Sequence, residues 1–583
     1  SPSTLPAAYN SPMPSPHRHR WWPLTYRRSD LPSDLLAGTV VATLLVPQSM
    51  AYALLAGLPP QMGLYASVVP TALYGLLGSS RALSVGPSAI IALMVAGALG
   101  PLAAAGSPEA AALAGTLALL VAAVYLLLGL VRAGFLANFL SHAVISGFTT
   151  SAALVIATGQ LLPLTGLSRT PGSGPGGQLV QLVREAGTIH PPTLILGAAA
   201  LAMLYFFRLG LEPILQRWKL PAPVRGLVTR SGPLAVVILG TVAVAHLQLE
   251  EVPVVGEIPA GLPSLGLPLW DTTLASQLAL PAVAIALVGF IEGYAVAKAL
   301  AARERETVDS NTELRALGVA NVGAACTGAF PISGGLGRTV VNDAAGARSG
   351  LASLVTAALV ALTLAFFMPA FRLLPKAVLA AIILVAVLQL VDLKALGRLW
   401  RYSRADAFAW AGTFLAVLLA GVEEGILFGA VVALALHLFR TSRPHLAEVG
   451  RVGSSEHFRN VLRHSVETWP DLLLVRVDES LYFANTAYLE GRLLEMVANR
   501  PQVRHLVLIA SAVNFIDGSA LESLERLVDE LRSAGVTFHL AEVKGPVADR
   551  LARTSFLDHL APGKVFLSTH EAVRELRSSL SSE

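Results

Sequence analysis

Apolar runs dominate the first three quarters of the chain. They fall at 34–57, 61–78, 86–100, 110–131, 139–163, 192–214, 232–249, 274–301, 312–329, 338–349, 351–371, 376–391, 406–421 and 424–440. Most are about 15–25 residues long, enough to cross or partly cross a bilayer. The pattern predicts a polytopic α-helical membrane domain of fourteen spans over 31–440. The third and tenth runs are too short to span alone and predict half-helices. After Arg440 the pattern changes. Leu472 to Val477, His505 to Ala510 and Val536 to Leu540 read as buried strands, and 547–553 reads as a helix. Leu521, Leu524, Leu527, Val528 and Leu531 recur at helical spacing, as on one face of an amphipathic helix. Strands alternating with helices predict a soluble α/β domain over 441–583.

Two interruptions of the apolar pattern stand in corresponding places of the two halves. One runs from Arg81 through Ser84, Val85, Gly86 and Pro87 to Ser88; the other runs from Phe330 and Pro331 through Gly334, Gly335 and Gly337 to Arg338 and Thr339. Paired short segments broken by Gly and Pro point to a transporter site between inverted repeats. Backbone leaves the helix at membrane depth only where protein or a watery cavity satisfies it. Two such places, each opening a short helix, imply one shared cavity.

Composition supports a lipid-solvated chain. Of 583 residues 54% are hydrophobic and only 14% charged, against about a quarter charged in soluble proteins. The single cysteine, Cys326, excludes an intrachain disulfide and a Cys-based metal cluster, and the histidines form no HExxH or paired-His arrangement. No metal, cofactor or nucleic acid is expected. Ser1 to His17 is Pro/Ser-rich and lacks the apolar core of a signal peptide, so 1–30 reads as a disordered cytoplasmic segment. Basic residues gather at Arg18 to Arg28, Arg208 to Arg230, Arg303 to Arg305 and Lys394 to Arg404. With an even number of spans, that bias puts both termini in the cytoplasm and the chain in the cell (inner) membrane. Arg169, Arg184, Arg372 and Lys376 are exceptions.

Glu292 is the only charged residue between Asp271 and Lys298. An intramembrane carboxylate costs about 2.5–3.5 kcal/mol on insertion scales and faces a cavity or a partner. It is a candidate coupling-proton carrier; alternatively it is pinned to a neighbouring half-helix or to Arg338. Arg338 lies where a Gly-rich segment turns into a half-helix, so exposed N–H groups and the positive helix end accompany its charge. The facing half-helix opens at Gly86, Pro87 and Ser88, with proline in the first turn, where its missing N–H does no harm. Two helix N-termini and one guanidinium make an anion cradle, unless Arg338 merely neutralises Glu292 or snorkels. Pro47 is either a bare kink or a break that lets Gln48 and Tyr52 line the same cavity. Ser310 with Glu313, and Ser519 with Glu522, fit capping boxes.

Together these residues resemble the SulP/SLC26 anion transporters from about Asp34 to the end. The matching runs are Val46 to Ala53, Leu64 to Ser67, Ser84 to Pro87, Glu292 with Ala297 to Leu300, Asn311 to Leu314, and Phe330 through Arg338 to Asn342. The resemblance implies two inverted repeats of seven spans, with a core and a gate domain. It also implies a cytoplasmic STAS domain and a homodimer. By that pattern Gln48, Tyr52 and the backbone around Ser88 and Gly337, Arg338 and Thr339 line the anion site, and Glu292 takes the proton-linked acidic position. Two departures stand out. Gly337 replaces a serine of several animal relatives, and Gly518 follows Asp517 where anti-sigma-factor antagonists carry a phosphorylatable serine.

The expected function is secondary active import of a small anion, sulfate or a dicarboxylate, by proton symport with elevator-like movement of the core against the gate. The alternatives are a sodium-coupled bicarbonate importer, an anion exchanger or a channel. A lone carboxylate without a second acidic ligand favours the proton over sodium, and Arg338 favours an anion over a neutral nucleobase. A channel or voltage-driven motor has no need of Glu292. A membrane receptor would use the α/β tail, the place for any cytoplasmic partner, but not the two broken half-helices. No nucleophile–base set suggests an enzyme.

Overall fold

The computed structural model describes residues 26–138, 141–168, 170, 174–219, 222–259, 261–268 and 271–580. The expected N-terminal segment lies outside them up to residue 25. Contacts divide the chain into two compact units, with the division between Ala433 and Leu434.

In the first unit the helices run α1 Leu31–Leu55, α2 Pro60–Tyr65, α3 Val69–Leu77, strand β1 Val85–Gly86, α4 Ala89–Leu99, α5 Pro108–Leu130, α6 His142–Thr165, α7 Pro175–Arg184 and α8 Pro191–Arg217. There follow α9 Ala222–Arg230, α10 Gly232–His246, α11 Thr272–Arg303, α12 Ser310–Cys326, strand β2 Ser333–Gly334, α13 Leu336–Ala344, α14 Leu351–Phe366, α15 Lys376–Leu388, α16 Lys394–Tyr402, α17 Arg404–Leu419 and α18 Val422–Thr441, within which the boundary falls. Among the described residues six helices are long and apolar enough to cross a membrane, and α4, α10, α14 and α15 are shorter apolar helices. Proline opens many of them: Pro60, Pro70, Pro108, Pro191 and Pro233 each stand in a first turn, where no ladder donor is lost.

The same chemistry breaks the run predicted at 61–78. Pro70 has no N–H to extend the helix before it, so the run becomes α2 and α3, with Val68 outside both. Pro47, by contrast, sits inside a continuous α1. The two halves interlock, α5 packing on α12 and α1 on α14.

Neither predicted capping box forms. At α12 the cap is Asp309, whose carboxylate accepts the Thr312 N–H at 2.6 Å. After α19, Thr486–Ala498, comes α20, Gly518–Ser533, whose cap is Asp517, which accepts the Ala520 N–H at 2.8 Å. In both cases a carboxylate, the stronger acceptor, stands just ahead of the serine.

The second unit carries one six-stranded sheet, ordered β4-β3-β5-β6-β7-β8. Its strands are β3 Leu446–Arg451, β4 Phe458–Asn460, β5 Leu472–Val477, β6 His505–Ile509, β7 Thr537–Ala541 and β8 Val565–Phe566. Strands β5 to β8 are parallel, and β3 is antiparallel to both its neighbours. Side chains alternate with period two. Leu473, Val475, Leu506, Leu508, Phe538 and Leu540 pack under the helices of one face, α20 among them. Leu472, Leu474, Val507, Ile509 and Phe566 face the last helix, Thr569–Leu580.

One buried polar residue interrupts that second face. His539 is 2% exposed; its Nδ1 accepts the Lys564 N–H at 3.1 Å, so Nε2 carries the proton toward His505 Nδ1 at 3.1 Å. Burial, with His505 and Lys564 nearby, pushes the imidazole from 6.5 down to about 4. The unfolded chain therefore binds this proton first as pH falls. Stability is intact above pH 6.5 and declines toward pH 4, by about 3 kcal/mol. In the full chain, amide exchange in β7, corrected for intrinsic rates, is expected to accelerate across that window. His539→Gln is expected to flatten the response, and an unchanged profile in the variant would refute the assignment.

Candidate anion site

The two interruptions meet. β1 and β2 pair antiparallel, Val85 opposite Gly334 and Gly86 opposite Ser333. Each strand leads into its own helix, so the N-termini of α4 and α13 approach one crossing from opposite directions. Their positive ends face the same small region, with the first-turn N–H groups that the Ser88 cap leaves over.

The crossing is fixed by groups from both halves. Gly335 N–H donates to Ser84 O at 3.0 Å, and Ser84 N–H to Thr339 Oγ1 at 3.1 Å. Asn342 Nδ2 donates to Ala82 O at 2.9 Å, and Thr71 Oγ1 to Val85 O at 3.0 Å. Asn321 brackets Ile332, accepting its N–H at 3.0 Å and donating to its carbonyl at 3.2 Å. Gly334 permits the close approach: a Cβ there would lie 2.7 Å from Leu83 Cδ1 and 2.8 Å from Gly293 Cα of α11.

Arg338 is 4% exposed. Its Nη1 donates to Pro87 O across the crossing, while Nε and Nη2 have no hydrogen-bond partner. The guanidinium lies over Gly335, whose added Cβ would be 2.7 Å from Nη2. Glu292, on α11, has its Oε2 closed off from solvent and without a hydrogen bond. It and Arg338 bear on each other electrostatically, yet no ion pair within 4.0 Å joins them. Arg338 is therefore held by a carbonyl rather than by the carboxylate.

Tyr52 of α1 is 6% exposed and feels both charges. Gln48 lies one turn earlier on the same helix, half-buried, and α1 packs on α4 and α13. Other sequence-derived residues are committed to the scaffold. Ser88 Oγ caps α4 by accepting the Ile91 N–H at 3.3 Å and also takes a 3.3 Å hydrogen bond from Ser333 Oγ. Thr339 Oγ1 donates to Gly335 O at 2.7 Å while accepting from Ser84, so its hydroxyl positions the helix start. Gly337 is exposed, and a Cβ there meets nothing within 4 Å.

Two buried carboxylates escaped the sequence reading. Glu313 accepts from Tyr74 Oη at 2.8 Å, Ser79 N at 2.7 Å, Ser79 Oγ at 2.6 Å and Ser80 N at 3.0 Å. Asp34 accepts from Arg348 N at 2.7 Å and from Ser349 N and Oγ at 3.1 and 2.7 Å. Each comes from one half and holds backbone of the other. The available signal was a lone carboxylate at the edge of an apolar run. No group of three or more His, Cys, Asp or Glu residues suited to a metal occurs among the described residues.

A profile of the sulfate permease family matches residues 31–413, and a STAS domain profile matches 463–572. The chain is 37% identical, over 95% of its length and 96% of the relative's, to a probable sulfate transporter of Mycobacterium tuberculosis. It is 35% identical to the chloroplastic sulfate transporter 4.1 of Arabidopsis thaliana, over 95% of this chain and 81% of that one. The murine SLC26A9 anion transporter in its inward-facing state aligns with a TM-score of 0.86 at 24% identity, over 96% of this chain and 93% of that one. The transmembrane domain of a cyanobacterial bicarbonate transporter, BicA, aligns at 0.59 and 23% identity, over 70% of this chain and 98% of the other. The structural likenesses bear on the fold: a helical membrane-spanning core followed by a STAS domain.

Proposed function

The chain belongs to the sulfate permease family, and from that premise we propose that it is a secondary active transporter that imports sulfate by proton symport. A dicarboxylate is the second substrate to test. The observation that carries the reading is the Arg338 guanidinium, buried between two helix N-termini with Nε and Nη2 unpaired. Relatives named as sulfate transporters over nearly the whole chain support the choice of anion.

Sulfate would sit at the strand crossing, taking hydrogen bonds from Arg338 and from the first-turn N–H groups of α4 and α13, with Gln48 and Tyr52 as the wall on α1. A planar fork with fixed donors suits an oxyanion better than a point charge does. Charge counting then selects the transported state. Arg338 contributes +1 and each helix end roughly +0.5, so they balance the two negative charges of sulfate. The loaded site is close to neutral when Glu292 carries a proton and close to −1 when it does not. A near-neutral site crosses the low-dielectric region far more readily. Glu292 suits this role because, unlike Glu313 and Asp34, its Oε2 is bound to no donor. Movement of the core domain against the gate would alternate access. The basic loops argue for cytoplasmic termini and the family pattern for a homodimer.

The test is uptake of labelled sulfate, fumarate and bicarbonate into proteoliposomes, with and without an inward proton gradient. Wild type is expected to accumulate sulfate under the gradient. Glu292→Gln is expected to lose gradient-driven accumulation but keep sulfate–sulfate exchange. Uptake that ignores the proton gradient, or that requires sodium, would sink the reading.

A further inference from the structure

A second buried polar group beside Glu292 has no partner. Tyr125, on α5, is 0% exposed, and its hydroxyl makes no hydrogen bond. It reaches the backbone of α11 through a gap that only glycine leaves: a Cβ on Gly289 would lie 2.6 Å from the Tyr125 oxygen and 3.0 Å from Ser333 Cβ. Gly289 and Glu292 are three residues apart on α11 and so share a helix face. The phenol and the carboxyl bear on each other electrostatically.

Two complementary orphans therefore lie about a turn apart. Leaving a buried donor or acceptor unsatisfied is costly, so a conformation that joins them is favoured once protonation releases the carboxyl from the pull of Arg338. The charged or titratable groups facing Glu292 are Arg338 from α13, Tyr52 from α1 and Tyr125 from α5. The cap of α4 and β2 bring Ser88 and Ser333, whose hydroxyls are bonded to each other. Arg338 is matched to an ionised carboxylate. A phenol bonds either form, donating to a carboxylate or accepting from a carboxylic acid, but only the ionised form is also drawn to the guanidinium.

Building on the symport reading, we propose that Tyr125 is the hydrogen-bond partner of protonated Glu292. The carboxyl turns toward Arg338 when ionised and toward Tyr125 when it carries the proton, its O–H donating to the Tyr125 oxygen. The proton stays on Glu292 throughout, and no bond other than hydrogen bonds changes. The turn leaves the guanidinium to sulfate, so proton and anion loading become one event. Tyr125 is a positioning residue: it touches the carrier of the proton, not the anion.

The experiment compares full-length wild type, Tyr125→Phe and Glu292→Gln in proteoliposomes. The pH dependence of labelled sulfate uptake is measured beside sulfate–sulfate exchange at a fixed acid pH. Losing one hydrogen bond to the protonated carboxyl is expected to move half-maximal uptake of Tyr125→Phe by about one pH unit toward acid, a tenfold higher proton requirement. Exchange at acid pH is expected to stay close to wild type, which also shows that the variant is folded. An unmoved profile, or loss of exchange together with uptake, would overturn the proposal. If Tyr125→Phe does not fold, Gly289→Ala, which drives the hydroxyl off α11, carries the same expectation and the same refutation. Should wild type show no proton dependence, the symport reading fails first. If Glu292→Gln abolishes the pH dependence while Tyr125→Phe leaves its midpoint unmoved, only the role of Tyr125 falls.

Discussion

Replacing Arg338 with glutamine is expected to weaken sulfate binding by about 10²- to 10⁴-fold. The guanidinium has two N–H-bearing atoms, Nε and Nη2, free of protein partners in a site 4% exposed. Hydrogen bonds to charged groups contribute about 1.5–3 kcal/mol each, and each 1.4 kcal/mol is a factor of ten in affinity. Glutamine retains neither the charge nor the fork. Arg338→Lys restores the charge without the paired geometry and is expected to recover only part of the loss. Equilibrium binding of labelled sulfate to the purified full chain reads the effect directly. A loss below tenfold would mean that the helix ends bind the anion unaided. Because Nη1 also holds Pro87, a thermal melt of the variant must be run beside the titration.

Removing the Glu313 side chain is expected to be the most damaging single truncation in the membrane unit. One carboxylate accepts four hydrogen bonds, from the Tyr74 hydroxyl, the Ser79 N–H and hydroxyl and the Ser80 N–H. Glu313→Ala leaves all four donors without it. The Tyr74 donor is buried and the other three are part-buried; at about 1–3 kcal/mol for a buried donor left unsatisfied and less for the others, the sum is a large part of the stability of an ordinary domain. The expected result is little or no folded protein in detergent. Glu313→Gln keeps one carbonyl oxygen for the three donors on Oε1, and the Tyr74 hydroxyl can turn to accept from the amide, so it is expected to fold with a lowered melting temperature. Normal yield and melting of Glu313→Ala would show that water satisfies the Ser79–Ser80 loop instead.

The features legible in the sequence are those that lipid penalises. A glycine-broken stretch, a lone glutamate and a lone arginine stand out against apolar helices because each needs a stated reason to be there. Gly86, Pro87, Glu292 and Arg338 were visible on that ground. Residues whose work is tertiary were not. Glu313 completes a local pattern with Ser310 that reads as a capping box, while its oxygens go to a loop 233 and 234 positions away. Tyr125 reads as core, since nothing in its own helix reveals that Gly289 lies opposite. Thr339 stands beside Arg338 in the motif, yet its hydroxyl belongs to the backbone of the crossing. The break between α2 and α3 was obscured for the opposite reason, because a single proline inside a hydrophobic run is compatible with a kink, as Pro47 demonstrates.

The pairing of β1 with β2 also sets a schedule for biosynthesis. Pro87 and the arginine that grips it are 251 positions apart. At about 5–20 residues per second of translation, the ribosome needs roughly 12–50 s to supply the second after the first. For that interval the nascent amino-terminal half holds a strand without its mate at membrane depth, where unpaired peptide groups are poorly tolerated. The inserting machinery, rather than the finished fold, must shelter Val85 and Gly86 until Ser333 and Gly334 arrive. A messenger truncated between the two therefore yields a membrane-bound half with an open edge, a substrate for proteolysis rather than a partial transporter.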